Sequence, residues 1–295
     1  MGVIKMNRGQ KRLEGIKRDM LLQLSLYKYW QSNLKVEHNR KTFAKIADIE
    51  RKLLSIFQIE QIQTRMKISR RYRWFVLLAK LLGFTFVAQW LMRKKERRFR
   101  KLSSYADEFT PENLQMADSL IQREKDLIGG LKEIRLDFVG AIILGMNDAL
   151  VEITGSVAGF TLSMSHSKMI AIAGLIAGIA ASLSMAASEF MAERSEGNIK
   201  RAATAAIYTG FSYILTVILL VLPFFLVPNN EYMLALLLTV IISVVIIFIF
   251  SFYMDVAKKI GFKQRFWEMV FICLGVSGLT FIIGFVVKSF LGISA

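Results

Sequence analysis

The chain has a single cysteine in 295 residues, Cys273, so no disulfide framework can form within it. Cys273 sits in an apolar run and reads as a small buried residue rather than a reactive thiol. There are only two histidines, His38 and His166, too far apart in sequence to form a recognisable ligand pair. The opening MGVIKMNRGQKRLEG lacks the apolar core of a signal peptide, so neither cleavage nor export of this end is expected. Met6 stands where N-myristoylation needs Ser or Thr, which removes that anchor as well. Acids are scarce in the first half: residues 1–137 carry 15 Asp and Glu against 30 Lys and Arg, while residues 138–295 carry 8 against 9. Nearly all of the net charge of +16 therefore belongs to the first part. Such a basic segment suits anionic lipid headgroups. Nucleic acid is the competing partner, but no motif that reads it is present.

What the chain does have is apolar length. Hydrophobic residues make up 54% and mean hydropathy is +0.43, a membrane-class composition concentrated after residue 137. The shift marks a boundary between residues 1–137 and 138–295. Five runs near 138–164, 168–192, 203–227, 232–254 and 267–290 are each long enough to cross a bilayer, which takes about 20 helical residues. Lys132 and Arg135 precede the first run, Arg194, Lys200 and Arg201 follow the second, and Lys258, Lys259, Lys263 and Arg265 follow the fourth. These basic clusters share one side, so the positive-inside rule puts the N-terminus in the cytoplasm and the C-terminus outside. The short SHSK link makes the first two helices an antiparallel hairpin. A multi-pass protein of the cell membrane is expected.

Acids inside membrane helices are expensive and commonly line ion paths. Asp148 and Glu152 are four residues apart in the first span, as are Met185 and Glu189 in the second, with Glu193 one turn further. Positions i and i+4 share a helix face, so each pair can line a cavity. Asn147 precedes Asp148, and Met185 adds a thioether that suits transition metals better than Mg²⁺ or Ca²⁺. The bland alternative is a structural carboxylate bonded to a hydroxyl such as Thr154 or Ser184. Gly155-xxx-Gly159 and Gly174-xxx-Gly178 let backbones approach closely. They point to the first two spans as the packed centre and the last three as lipid-facing support.

DFVGAIILGMNDALVEITGSVAGFTL and AGLIAGIAASLSMAASEFMAERSE resemble the first two membrane helices of the vacuolar iron transporter family, with its Asn-Asp and Ser-Met-Ala-x-x-Glu signatures. The likeness runs on through YTGFSYILTVILLVLPFFL to the last span. It implies a five-helix homodimer that exports Fe²⁺ or Mn²⁺ from the cytosol in exchange for protons, with no permanently bound cofactor. Carried over by position, Asp148 and Met185 are the metal ligands, with Asn147, Glu152 and Glu189 nearby. The metal-binding insertion of plant members is missing, since only RSEGNIKRAA joins the second and third spans. Residue chemistry agrees with coupling: carboxylates in a low-dielectric cavity hold protons until a divalent cation displaces them.

The basic half reads as helical segments at about 10–33, 36–68, 72–105 and 111–135, the last opening at Thr110-Pro111-Glu112. The apolar stretch at 74–92 is broken by Lys80 and flanked by Arg and Lys, so a buried or membrane-apposed bundle helix is expected there rather than a sixth span. KTFAKIADIERKL and this layout resemble the ferritin-like bundle that some prokaryotic members carry in front of the membrane part. The expected fold is therefore all-α, a ferritin-like four-helix bundle followed by a five-helix transmembrane domain. Such bundles hold two irons on Glu and Glu-x-x-His sets. Here Leu53 replaces an expected His, Gln23 replaces a Glu, and Arg93 and Arg123 occupy ligand positions, leaving Glu50, Glu96 and the less diagnostic Glu124. Guanidinium groups repel metal, so a lost di-iron centre and no enzyme activity are expected. Membrane-surface docking and dimer support are the roles left to this half. The competing functional reading is a membrane-anchored regulatory or binding module whose bundle is the working part.

Overall fold

A computed structural model describes residues 8–57, 70–102, 110–164, 166–258 and 261–291. The expected ends of the second and third helical segments at 68 and 105, the Met1–Met6 terminus, Ser165 of the SHSK link and Lys259 lie outside them. All regular structure among the described residues is helical. The chain divides into two compact units, residues 1–134 and 135–295.

The first unit contains α1 (Arg8–Asn33), α2 (Glu37–Ile56), α3 (Arg70–Leu82), α4 (Phe84–Leu102) and α5 (Pro111–Gly129). Helices α1, α2, α5 and α4 form a ring, each packed on its neighbours, and α3 lies against α1 and α4. Leu26, Tyr27, Phe43, Ile46, Leu53 and Val87 are fully enclosed. Burying each of the aliphatic side chains stabilises the ring by about 1.5–3 kcal/mol. Helix α5 begins as its sequence requires: the Thr110 hydroxyl accepts from the Asn113 amide at 3.3 Å, with Pro111 in the first turn.

The segment expected as one helix over 72–105 is two. Gly83 has φ of +96°, a left-handed conformation that glycine tolerates, and it turns α3 into α4. A Cβ there would run into the Glu133 carboxylate. Glu133 Oε2 instead accepts from the Thr85 amide at 3.0 Å, so a side chain from beyond α5 caps the start of α4. Neighbouring residues are fastened too. Asn39 donates to the Lys132 carbonyl at 2.6 Å and accepts from its amide at 3.0 Å, and a His38 ring nitrogen lies 3.2 Å from the Gly130 carbonyl.

After the four-residue α6 (Ile134–Asp137), the second unit contains α7 (Val139–Ser163), α8 (Ser167–Ser195), α9 (Ile199–Leu226), a 3-10 turn at Asn229–Glu231, α10 (Tyr232–Lys258) and α11 (Phe262–Leu291). Five helices among the described residues are long and apolar enough to cross a membrane, and the 74–92 stretch is not one of them.

The packed centre differs from the expected hairpin of the first two spans. Half of the most apolar window of α7 and of α9 is buried, against 28% for α8. Gly145 explains the closeness of α7 and α9: a Cβ there would collide with the Thr209 carbonyl oxygen. The Thr209 hydroxyl donates back to the Ala141 carbonyl at 3.1 Å. Gly155 receives Thr280 of α11, whose hydroxyl bonds its carbonyl at 2.9 Å, and Gly159 meets Gly284. Gly178 receives Val217 of α9, while Gly174 sits between Val157 and Val221. The small residues thus seat α7 and α8 chiefly on α9 and α11, because a groove made by glycine admits whichever bulky side chain its neighbour presents.

Candidate functional site

Helix α7 carries Asp148 and Glu152 one turn apart, both exposed on the surface of this chain. Their charges lie close enough to act on each other. Glu152 Oε2 accepts a 2.5 Å hydrogen bond from the Tyr213 hydroxyl of α9, and Asp148 also acts on that hydroxyl. Tyr213 is itself fully buried, so its orientation is fixed by the core. Asn147 is half-buried, and its Oδ1 is enclosed with no hydrogen-bond donor among the described residues.

On α8, Met185 is partly buried against the apolar cluster built from all five long helices, α7 to α11. Glu189 is partly buried and interacts with Glu193, whose Oε2 accepts from the Arg201 guanidinium of α9 at 3.0 Å. The acids therefore come as two pairs, Asp148 with Glu152 and Glu189 with Glu193. No group of three or more His, Cys, Asp or Glu placed to hold a metal occurs among the described residues of the single chain. The partner of Glu152 is neither Thr154 nor Ser184 but Tyr213, which sequence reasoning missed. Its signal was present: Thr209, Ser212, Tyr213 and Thr216 recur at helical spacing and form a buried polar stripe on α9.

The centre of the first unit holds a different arrangement. Lys95 of α4, with its side chain only 6% exposed, donates to Glu50 of α2 at 2.5 Å and to Glu124 of α5 at 2.7 Å. Both carboxylates are fully buried, and the Tyr27 hydroxyl of α1 adds a 2.9 Å bond to Glu124. Gln23, also buried, donates to the Leu91 carbonyl at 3.1 Å. Two sequence expectations are corrected here. Glu96 is not a central residue but pairs with Lys125 on the flank at 2.7 Å, and Arg123 is exposed. The positive charge at the centre comes from Lys95, because its position on α4 is in phase with buried Ala88, Leu91 and Phe99 whereas Glu96 is one residue, about 100° of helix, away.

Burial pushes the pKa of Glu50 up to about 8, with Glu124 adding to the rise and Lys95 opposing it. Burial works against the charge on Lys95, but the Glu124 and Glu50 carboxylates outweigh it and hold the lysine above its ordinary range. Tyr27 is raised well above the usual phenol range by burial and by the same two acids. An ammonium bonded to both acids, and a glutamine beside them, do not fit a pair of metal ions.

Five apolar helices, with acids on the first two, define a multi-pass membrane protein of the ion-carrying class. The family model that matches is that of the VIT family, over residues 139–204, which takes in α7, α8 and the start of α9. Over that stretch the chain is similar to the VIT family, which supports a membrane metal transporter in general terms. No curated protein and no solved structure matches the chain.

Proposed function

We propose that the protein exports divalent Fe²⁺ or Mn²⁺ from the cytosol by proton antiport, through Asp148, Glu152, Met185, Glu189 and Asn147. The observation that carries this reading is the Asp148–Glu152 pair, presented on one face of a membrane-length helix and steadied by a buried tyrosine hydroxyl. Two carboxylates that lose protons as a dication arrives, and regain them as it leaves, supply the coupling. The enclosed Asn147 Oδ1, without a donor, is a further oxygen for the cation. Met185 offers sulfur, which favours transition metals over Mg²⁺.

Acids exposed on a single chain at this depth are costly in hydrocarbon. A homodimer that covers the α7 face removes that cost and supplies a second set of ligands. In the proposed orientation the N-terminus lies in the cytoplasm of a cell membrane, as the basic links require. The reading is tested in proteoliposomes with a metal-sensitive dye and an internal pH dye. Mn²⁺ uptake should be matched by opposite proton movement, and Asp148→Ala should reduce both to background. Flux unchanged in Asp148→Ala would place the path elsewhere.

A further inference from the structure

Helix α3 reads RRYRWFVLLAKLL and contains no acid. Its inner side is accounted for: Phe75 and Ala79 are buried, Phe75 packs on Trp90 at 5.7 Å, and Arg71 pairs with Asp19 of α1 at 3.7 Å. The outer side is apolar. Trp74, Leu77 and Leu81 are 52%, 54% and 67% exposed, and their spacing of three and four places them in one stripe. Arg73 and Lys80 border this stripe along one edge, Arg70 extends it at the N-terminal end, and all three are exposed. An exposed tryptophan and leucines edged by long basic side chains suit the boundary between headgroups and acyl chains.

We propose that α3 is an interfacial membrane anchor, with Trp74, Leu77 and Leu81 lying at the acyl boundary and Arg70, Arg73 and Lys80 held by anionic lipid phosphates. The anchor is independent of the transport reading, since it needs no metal and no acid of the membrane unit. It gives the basic bundle a defined lipid-facing side.

The test places a spin label at Leu77→Cys or Leu81→Cys in the full chain carrying Cys273→Ala, reconstituted in nanodiscs containing phosphatidylglycerol. A label at Lys41→Cys on α2, where the side chain is 73% exposed, is the reference. Labels at 77 and 81 should collide preferentially with oxygen and be shielded from a water-soluble nickel chelate, while the label at 41 should be open to the chelate. Arg70→Gln with Arg73→Gln should weaken the oxygen preference. Chelate access at 77 and 81 equal to that at 41 overturns the proposal. So does shielding from both reagents, which means that protein covers the face, whether a second copy or this chain's own segments. If the cysteine-free background does not fold, quenching of tryptophan fluorescence by brominated lipid is compared in the native chain and Trp74→Phe. Loss of a quenched component in Trp74→Phe supports the anchor, and no difference overturns it.

Discussion

In the first unit Glu50 and Glu124 share an ammonium, whereas in the second Glu152 alone of the Asp148–Glu152 pair accepts a hydroxyl, that of Tyr213. Both sets are carboxylate pairs with a tyrosine hydroxyl as donor, but Glu50 and Glu124 are fully buried while Asp148 and Glu152 are exposed on the chain. The difference lies in what neutralises them. Lys95 is covalently part of the fold, so its charge cannot be exchanged for another cation. Tyr213 is neutral, so it orients Glu152 and leaves the charge to be met by something that comes and goes. A buried acid with a resident cation is a structural element, whereas an exposed acid with only a hydroxyl suits the exchange proposed above.

The largest effect should come from taking the resident cation away. Lys95→Met leaves two enclosed carboxylates without their partner and should cost about 3–5 kcal/mol in bundle stability. Denaturant unfolding of the full chain in micelles, read by hydrogen exchange on α2 and α5, measures it. Adding Glu50→Gln and Glu124→Gln to Lys95→Met should restore most of the loss, and if Lys95→Met alone is neutral then the triad does not hold the bundle together.

On the membrane side, Tyr213→Phe removes a hydrogen bond to a charged group, an interaction of about 1.5–3 kcal/mol at most and less at so open a carboxylate. Proteoliposome flux should fall without vanishing, in contrast to Asp148→Ala. Equal loss in both variants would mean that the tyrosine is a ligand rather than a support.

A pH slope is expected in the first unit as well. Glu50 has a folded-state pKa of about 8 against an ordinary 4.5, so the folded bundle keeps a proton that the unfolded chain releases. Its contribution to stability is complete below about pH 4.5 and is lost as pH rises through about 8. The bundle's unfolding midpoint should therefore drift downward across that window, and Glu50→Gln should flatten the drift.

Much of the fold was legible because hydropathy and caps speak locally. The five apolar runs needed no tertiary information, and Thr110-Pro111-Glu112 marked the start of α5 within a residue. The break at Gly83 was not legible, since the glycine lies in continuous apolar sequence and its conformation is fixed by Glu133, fifty residues later. Lys95 was hidden for another reason. It sits in RKKERRFRK, where every residue but Phe99 looks solvated, and only the phase of Ala88, Leu91 and Phe99 identifies the charged one that turns inward. Among the candidate site residues, Asp148 and Glu152 stood out because charge in an apolar run is conspicuous. Tyr213 did not, because an aromatic in such a run is ordinary and its hydroxyl matters only once α7 is known to lie beside it.

Lys95 also bears on how the protein is made. A bundle closed by iron assembles only as fast as the cell can supply iron, and a chelator can undo it. A bundle closed by its own lysine is complete when translation ends, in metal-starved and metal-replete cells alike. A protein whose proposed task is to lower cytosolic metal would then keep its helical bundle intact while succeeding at it.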